Sequence, residues 1–222
     1  MAEQTESPRY IPAARWKVLT RYFDLILAVT MREKRFRAAT VDRLDAELPE
    51  NGRVVDVGCG TGTLAIALAE RRTDAKVIGV DGDPEILYLA RAKPGADRIE
   101  WKQGLAGMLP FEDGSIDVVT ISLVLHHLLP DEKREALREA KRILKDDGSL
   151  NIVDWGKPTD LLMSGVFYVA QAIDGFDRTA DHRAGRLPQF INEAGFSNTT
   201  RYGGMRTGFG SLEYLVATPR TG

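Results

Sequence analysis

A glycine-rich run, Gly58-Cys59-Gly60-Thr61-Gly62, separates a short β-branched segment from an alanine- and leucine-rich segment. Glycines let a chain turn sharply and let a ligand approach the backbone without meeting a Cβ atom. A helix that begins near Gly62 presents unpaired N–H groups and the positive end of its dipole to an anion. The order of strand, loop and helix therefore predicts a ligand-binding turn.

Two ligand classes compete for this loop. A dinucleotide site places its third glycine at position 63, where this chain has Thr63, and Asp56 lies two residues before the first glycine. Asp56 would repel a pyrophosphate. S-adenosylmethionine has no phosphate and carries an ammonium and a sulfonium, so its carboxylate can meet the loop N–H groups while its ammonium lies near Asp56. The residues favour S-adenosylmethionine.

Asp81 follows the loop by roughly 20 residues, at the end of the second predicted strand, where an acid binds adenosyl ribose hydroxyls. The alternative is that the loop is a plain strand–helix turn and that Asp81 caps a helix. The loop, the acid before it and the spaced second acid together argue for the ligand site.

His126 and His127 follow the fourth predicted strand, and Asp154 follows the fifth. Ligands of open α/β sheets bind beyond the carboxyl ends of the strands, so these side chains are expected near a reacting group. His127 is a candidate general base. Alternatively, the histidines only shape the loop, because methyl transfer to a nucleophilic atom needs mainly alignment. No metal site is expected, since adjacent histidines rarely converge on one ion.

The periodicity of apolar residues predicts an alternation of strands and helices, which is typical of a parallel sheet with helices on both faces. Residues 155–184 show no strand pattern and are expected to form a substrate cap. Residues 1–50 are expected to form a tail and a helical lid, and residues 51–222 the main domain. The predicted strands are 53–57, 76–80, 98–102, 116–123, 150–153, 196–202 and 212–218. The predicted helices are 15–39, 40–47, 64–72, a helix from Asp83, 131–145 ended by Asp147-Gly148, and 187–194.

The composition excludes several classes of protein. A formal net charge of −2 argues against a nucleic-acid binder, and a single cysteine allows no internal disulfide, which fits a cytoplasmic protein. Neither a signal peptide nor an apolar run of membrane-spanning length is recognisable. The sequence leaves the oligomeric state open.

Five motifs resemble the class I S-adenosylmethionine-dependent methyltransferases, in particular the group with ubiquinone/menaquinone-biosynthesis and phospholipid N-methyltransferases. The motifs are VVDVGCGTG at 54–62, GVDGDP at 79–84, LPFEDGSIDVV at 109–119, LVLHHL at 123–128 and RILKDDGSL at 142–150. The resemblance implies a Rossmann-like, seven-stranded sheet that is mostly parallel with an antiparallel last strand. It also implies S-adenosylmethionine as cofactor and S-adenosylhomocysteine as product.

The resemblance further implies individual roles. Relatives carry an acid five residues before the Pro of the LPF motif, and that position is Leu105 here. We therefore expect Leu105 and Ala106 to hold the adenine by packing and backbone bonds, with Gly82 leaving room for the ring. Ser122 is expected to complete the cofactor contacts. Tyr22 is expected on the lid, over the cofactor.

The sequence thus predicts methyl transfer to a small-molecule acceptor. One alternative is a phospholipid or prenylquinone methyltransferase at a membrane surface, for which the basic cluster Arg32, Lys34, Arg35 and Arg37 would face anionic headgroups. The other is a non-catalytic protein that binds S-adenosylmethionine, suggested by Leu105.

Overall fold

The computed structural model describes residues 33–220. Its centre is one seven-stranded sheet with the strand order β3-β2-β1-β4-β5-β7-β6. The first five strands run parallel, and β7 is antiparallel to both of its neighbours. This confirms the predicted Rossmann-like α/β fold. The strands are β1 (Arg53–Val57), β2 (Lys76–Asp81), β3 (Glu100–Gln103), β4 (Ile116–Ser122), β5 (Leu144–Trp155), β6 (Phe196–Thr207) and β7 (Gly210–Pro219).

Helices cover both faces of the sheet. Because consecutive strand residues point to opposite faces, the central strands are apolar on both sides. Val54 packs in the cluster on one face, with helix residues such as Leu44 and Leu68, whereas Val55 packs on the other face with Leu137. The helices are α1 (Glu33–Glu47), α2 (Thr63–Arg71), α3 (Pro84–Arg91), α4 (Pro130–Ile143), α5 (Leu161–Asp174), α6 (Phe176–Ala184) and α7 (Leu187–Glu193), with 3-10 turns at Ala96–Arg98 and Leu125–His127.

The predicted helix boundary at Thr40 is wrong, because α1 runs without interruption from Glu33 to Glu47. Thr40 is fully buried, and its hydroxyl donates to the carbonyl of Phe36 at 2.8 Å, so the helix itself satisfies this polar group. The rest of the predicted lid, including Tyr22, lies outside the described residues.

Two further boundaries differ from the prediction. Helix α4 ends at Ile143 and β5 begins at Leu144, before Asp147-Gly148; the register of β5 on β4 shifts between the pairs of Ile116 and Val118. Strand β6 continues to Thr207, through Gly203 and Gly204, beyond its predicted end at residue 202. A Cβ atom on Gly203 would lie 2.7 Å from the ring of Tyr214, so this glycine permits close packing rather than a turn.

Within the described residues, no helix combines the length and apolar character needed to cross a bilayer. The segment predicted to be a cap begins with the last residue of β5 and then forms α5 and α6. These two helices lie against the turn that carries the histidines, as the contacts of His182 and Asp174 below show.

Candidate active site

The glycine loop joins β1 to α2 and requires glycine for two different reasons. Gly58, Gly60 and Gly62 all have positive φ, at 68°, 54° and 73°. A Cβ on Gly58 would lie 2.4 Å from Val124, and one on Gly62 would lie 2.2 Å from Trp101. A Cβ on Gly60 would meet no atom within 4 Å. The fold therefore requires Gly58 and Gly62, whereas Gly60 leaves open space beside the loop.

Asp81 lies at the end of β2 and contacts the glycine loop directly. One carboxylate oxygen accepts from the N–H of Gly60 at 2.9 Å, and the other accepts from the N–H of Asp83 at 2.9 Å. The N-cap of α3 is Asp83, which accepts from Glu85 N at 2.8 Å. Since an ionised carboxylate has about four acceptor positions, Asp81 keeps capacity for ribose hydroxyls.

Asp56 is 3% exposed, and its Oδ2 has no hydrogen-bond partner among the described residues. Burial raises the pKa of Asp56 to about 7, although the charge of Arg37 opposes this rise. A buried carboxylate oxygen without a donor is costly, and a cationic ligand group would relieve that cost. The site therefore fits the ammonium of S-adenosylmethionine.

The loop N–H groups are less available to the cofactor carboxylate than expected. Gly58 and Cys59 both donate to the carbonyl of Val80, at 2.8 and 2.9 Å, and Gly62 donates to Cys59 at 2.9 Å. With Gly60 bound to Asp81, these four N–H groups are occupied within the protein. Lys93, which no sequence pattern indicated, donates from Nζ to the hydroxyls of Thr61 and Thr63 at 2.7 and 2.8 Å and stabilises the start of α2.

The residues predicted to contact the adenine, Leu105 and Ala106, follow β3 in the chain. Leu105 is partly buried, and its carbonyl accepts from Met108 N at 3.0 Å, which closes a tight turn. Ala106 packs at the edge of the main core cluster. Gln103 donates to the carbonyl of Gly82 at 3.3 Å, so its amide lies beside the position predicted to face the ring.

Two other predicted cofactor residues lie close by. Burial raises the pKa of the Cys59 thiol well above its usual range, so this cysteine stays neutral and is a poor nucleophile. Ser122 is partly buried at the end of β4. The next residue, Leu123, has a φ of 58°, which is unusual for a bulky side chain. Such backbone strain often accompanies functional sites, and here it directs the chain into the histidine turn.

His126 forms a buried pair with Asp154, as expected from their positions at the ends of neighbouring strands. Its Nδ1 lies 2.7 Å from Oδ1 of Asp154, and the same oxygen accepts from the N–H of Trp155 at 2.7 Å. The other carboxylate oxygen, Oδ2, accepts from the N–H of Leu125 at 2.8 Å. Burial alone would lower the pKa of His126, but the charge and hydrogen bond of Asp154 raise it. Burial alone would raise the pKa of Asp154. The charges of His126 and His182, together with the hydrogen bonds from His126 and Trp155, instead hold it well below its usual range. The pair therefore fixes the histidine turn to β5.

His127 is the more accessible histidine, with 41% of its side chain exposed. Its Nδ1 lies 3.9 Å from Oδ1 of Asp174, and its ring centroid lies 3.9 Å from that of His126. Partial burial and the charge of His126 lower the pKa of His127 below its usual value. Its imidazole is therefore neutral at pH 7.

Two contacts that no sequence pattern indicated connect the α5–α6 segment to its surroundings near this turn. His182 is 1% exposed, and its Nδ1 lies 2.7 Å from the carbonyl oxygen of Trp155. Lys133 of α4 is fully buried; it donates to the carbonyl of Arg178 and lies 3.5 Å from Asp181. A separate groove, lined by residues such as Glu47 and Ser149, lies at the opposite edge of the sheet, away from these groups.

Comparison with known proteins agrees with this geometry. Residues 54–148 match a family described as a methyltransferase domain. The methyltransferase YcgJ of Bacillus subtilis is 36% identical over 118 residues, which cover 52% of this chain and 45% of YcgJ. Across four such relatives, the chain spans only 45–61% of the relative's length.

One longer match covers nearly the whole chain. A demethylmenaquinone methyltransferase of Deinococcus radiodurans is 31% identical over 216 residues, which cover 92% of this chain and 86% of that protein. An N-methyltransferase of Haemonchus contortus, solved with phosphomonomethylethanolamine and S-adenosylhomocysteine, superposes with a TM-score of 0.69. It is 15% identical and covers 84% of this chain and 53% of its own, so it supports the fold alone. The chain belongs to the class I S-adenosylmethionine-dependent methyltransferases.

Proposed function

We propose that this protein transfers a methyl group from S-adenosylmethionine to a small-molecule acceptor whose nucleophilic atom loses a proton. The observation that carries the proposal is the contact between Gly58 and Val124, since a Cβ on Gly58 would lie 2.4 Å from Val124. The glycine loop and the histidine turn are thus in contact at one edge of the sheet. A cofactor on the first would place its methyl group toward the second.

Different residues of the chain have different roles in this proposed reaction. Asp56 and Asp81 hold the ammonium and the ribose of the cofactor, and the partly buried Leu105 packs against the adenine. The bound cofactor supplies an electrophilic methyl group on its sulfonium. His127 takes the proton from the acceptor, and Asp154 positions His126 beside it through the 2.7 Å contact. Helices α5 and α6 act as the cap that excludes water.

The test is a turnover assay on purified protein with S-adenosylmethionine carrying a labelled methyl group. Acceptors are hydroxylated aromatics, hydroquinones and amines. The variant His127→Ala should lower turnover about 10²–10⁴-fold, with unchanged affinity for S-adenosylhomocysteine. Arg138→Ala, an exposed change on α4, is the control. Tight binding of S-adenosylhomocysteine with no transfer to any acceptor would favour the non-catalytic alternative.

A second candidate is methyl transfer to a prenylquinone at a membrane surface. Several relatives are named demethylmenaquinone or ubiquinone/menaquinone-biosynthesis methyltransferases. The α5–α6 segment also exposes an unusual set of large apolar side chains, which is typical of a surface that contacts lipid. These side chains are Leu161, Leu162, Tyr168, Val169, Ile173 and Phe176.

Vesicle co-sedimentation separates the two candidates. On the membrane reading, the protein pellets with anionic vesicles at low salt, and Leu162→Glu with Val169→Glu abolishes the binding. Glu substitutions at the exposed positions Thr73 and Ala92, outside the α5–α6 segment, are the matched control. A protein that stays in the supernatant, and that methylates a hydroquinone without a prenyl tail as fast as one with it, would contradict the membrane candidate.

A further inference from the structure

Three metal-ligating side chains converge beside the predicted reaction site. One donor atom each from His126, His127 and Asp174 lies within 4.8 Å of the other two. The histidines come from the turn after β4, and Asp174 is the last residue of α5. The sequence argued against a metal because the two histidines are adjacent. In the 3-10 turn, however, their ring centroids lie 3.9 Å apart, so both imidazoles reach one carboxylate.

His126 has the second partner that metal-binding histidines usually have. Its Nδ1 is bonded to Asp154, so in the neutral tautomer the lone pair is on Nε2. Asp154 is itself held by the N–H groups of Leu125 and Trp155. A carboxylate that orients an imidazole in this way is a recurrent feature of histidine–metal sites. The ring is thus fixed before any ligand arrives.

Asp174 is a carboxylate without a matching donor. Its side chain is 20% exposed, and within residues 33–220 its one recorded ionic partner is His127, at 3.9 Å. It lies at the C-terminal end of α5, where the helix dipole favours a positive charge. The buried cation nearby, Lys133, is already bound to Asp181 and to the carbonyl of Arg178. The position therefore favours a further cation.

We propose that His126, His127 and Asp174 bind one divalent transition-metal ion, such as Zn²⁺, Fe²⁺ or Mn²⁺. Two imidazoles and one carboxylate suit such ions and leave coordination positions open. With metal–ligand bonds of about 2.1 Å, the donor atoms must approach to about 3.4 Å, as tetrahedral geometry requires. Because His127 is half exposed, rotation of its ring can supply that movement.

The consequence for chemistry rests on the proposed function. An ion at this position would bind the hydroxyl oxygen of an acceptor and lower its pKa, so that the proton passes to solvent before methyl transfer. In the metal-bound protein His127 would then act as a ligand and not as the base. The binding claim itself is independent of any acceptor and of the cofactor.

The test is titration of the tag-free, EDTA-treated full chain with Zn²⁺ by calorimetry, and with Co²⁺ by visible absorption. We expect one ion per chain and the absorption of Co²⁺ in a site of nitrogen and oxygen ligands. His127→Ala and Asp174→Asn should each weaken binding at least about tenfold, and Asp154→Asn about 10–100-fold. Asp177→Asn, the same change at an exposed position three residues away, is the control.

Circular dichroism on each variant checks that it is folded. A chain that binds neither ion, or that binds them equally well after both His127→Ala and Asp174→Asn, would overturn the proposal. Either result leaves the cofactor and turnover tests of the proposed function standing.

Discussion

Replacing Asp154 with Asn tests whether the buried pair with His126 holds the site together. Asp154 is fully buried and accepts three hydrogen bonds, from His126 Nδ1 and from the backbone N–H groups of Leu125 and Trp155. Asn has one oxygen in place of two, so its NH₂ group must face one of these donors. The variant Asp154→Asn therefore loses a charged acceptor and leaves a buried N–H group unpaired.

The expected loss follows from those two effects. A hydrogen bond to a charged group contributes about 1.5–3 kcal/mol, and a buried unpaired donor costs about 1–3 kcal/mol. Breaking a buried pair by changing one partner typically costs about 3–5 kcal/mol. In a chain of this size, each kcal/mol lowers the melting temperature by about 2–4 °C, so a fall of about 6–20 °C is expected.

The pH dependence of the loss gives a sharper test. Because the folded pKa of Asp154 is depressed, its contribution is present above about pH 4 and is lost as the pH falls through the folded value. Because the folded pKa of His126 is raised, its contribution is present below about pH 6.5 and is lost as the pH rises through the folded value. Urea unfolding should show a larger loss at pH 5.5 than at pH 8.5. A loss below about 1 kcal/mol, or one that is larger at pH 8.5, would refute the reasoning.

Three further changes probe the loop, the adenine end and the buried histidine. Gly60→Ala should cost about 1 kcal/mol of stability and weaken S-adenosylhomocysteine binding. Gly58→Ala, whose new Cβ meets Val124, should lower the melting temperature more. Equal melting temperatures for the two variants would contradict this. Leu105→Asp should tighten S-adenosylhomocysteine binding in calorimetry at pH 7 by giving the adenine amine an acceptor, and no gain would show that another group already binds it. Burial lowers the pKa of His182 to about 4, so the unfolded chain binds more protons and the free energy of unfolding rises from about pH 4 to 6.5. His182→Gln should flatten that rise in urea titrations, and an unchanged slope would show that other groups cause it.

The elements around the cofactor loop could be predicted because their signals are local. The β-branched run at 53–57, the glycines after it and the Asp83-Pro84 helix start each depend on neighbours in sequence. The structure has β1 at Arg53–Val57 and the cap of α3 at Asp83, as expected. The mostly parallel sheet then follows from the alternation of strands and helices.

The parts that could not be predicted depend on contacts between distant segments. The predicted strand ended at residue 202, before the glycines at 203 and 204, but the packing of Tyr214 against Gly203 makes both glycines part of β6. Asp174 and His182 belong to helices whose position is set by the whole fold, so no local pattern places them beside His126. The burial of Asp56, which gives the cofactor site its unpaired acceptor, is likewise a tertiary property.

The most direct test of the central claim is a calorimetric titration of the chain with S-adenosylhomocysteine, with NADH as the competing ligand. We expect the chain to bind one S-adenosylhomocysteine and not to bind NADH. Asp81→Ala should weaken binding about 10–150-fold, the equivalent of about 1.5–3 kcal/mol for a hydrogen bond to a charged group. Asp97→Ala, at an exposed position, should leave it unchanged. Binding of NADH without S-adenosylhomocysteine, or an unchanged affinity in Asp81→Ala, would contradict the assignment of the glycine loop and Asp81 to this cofactor.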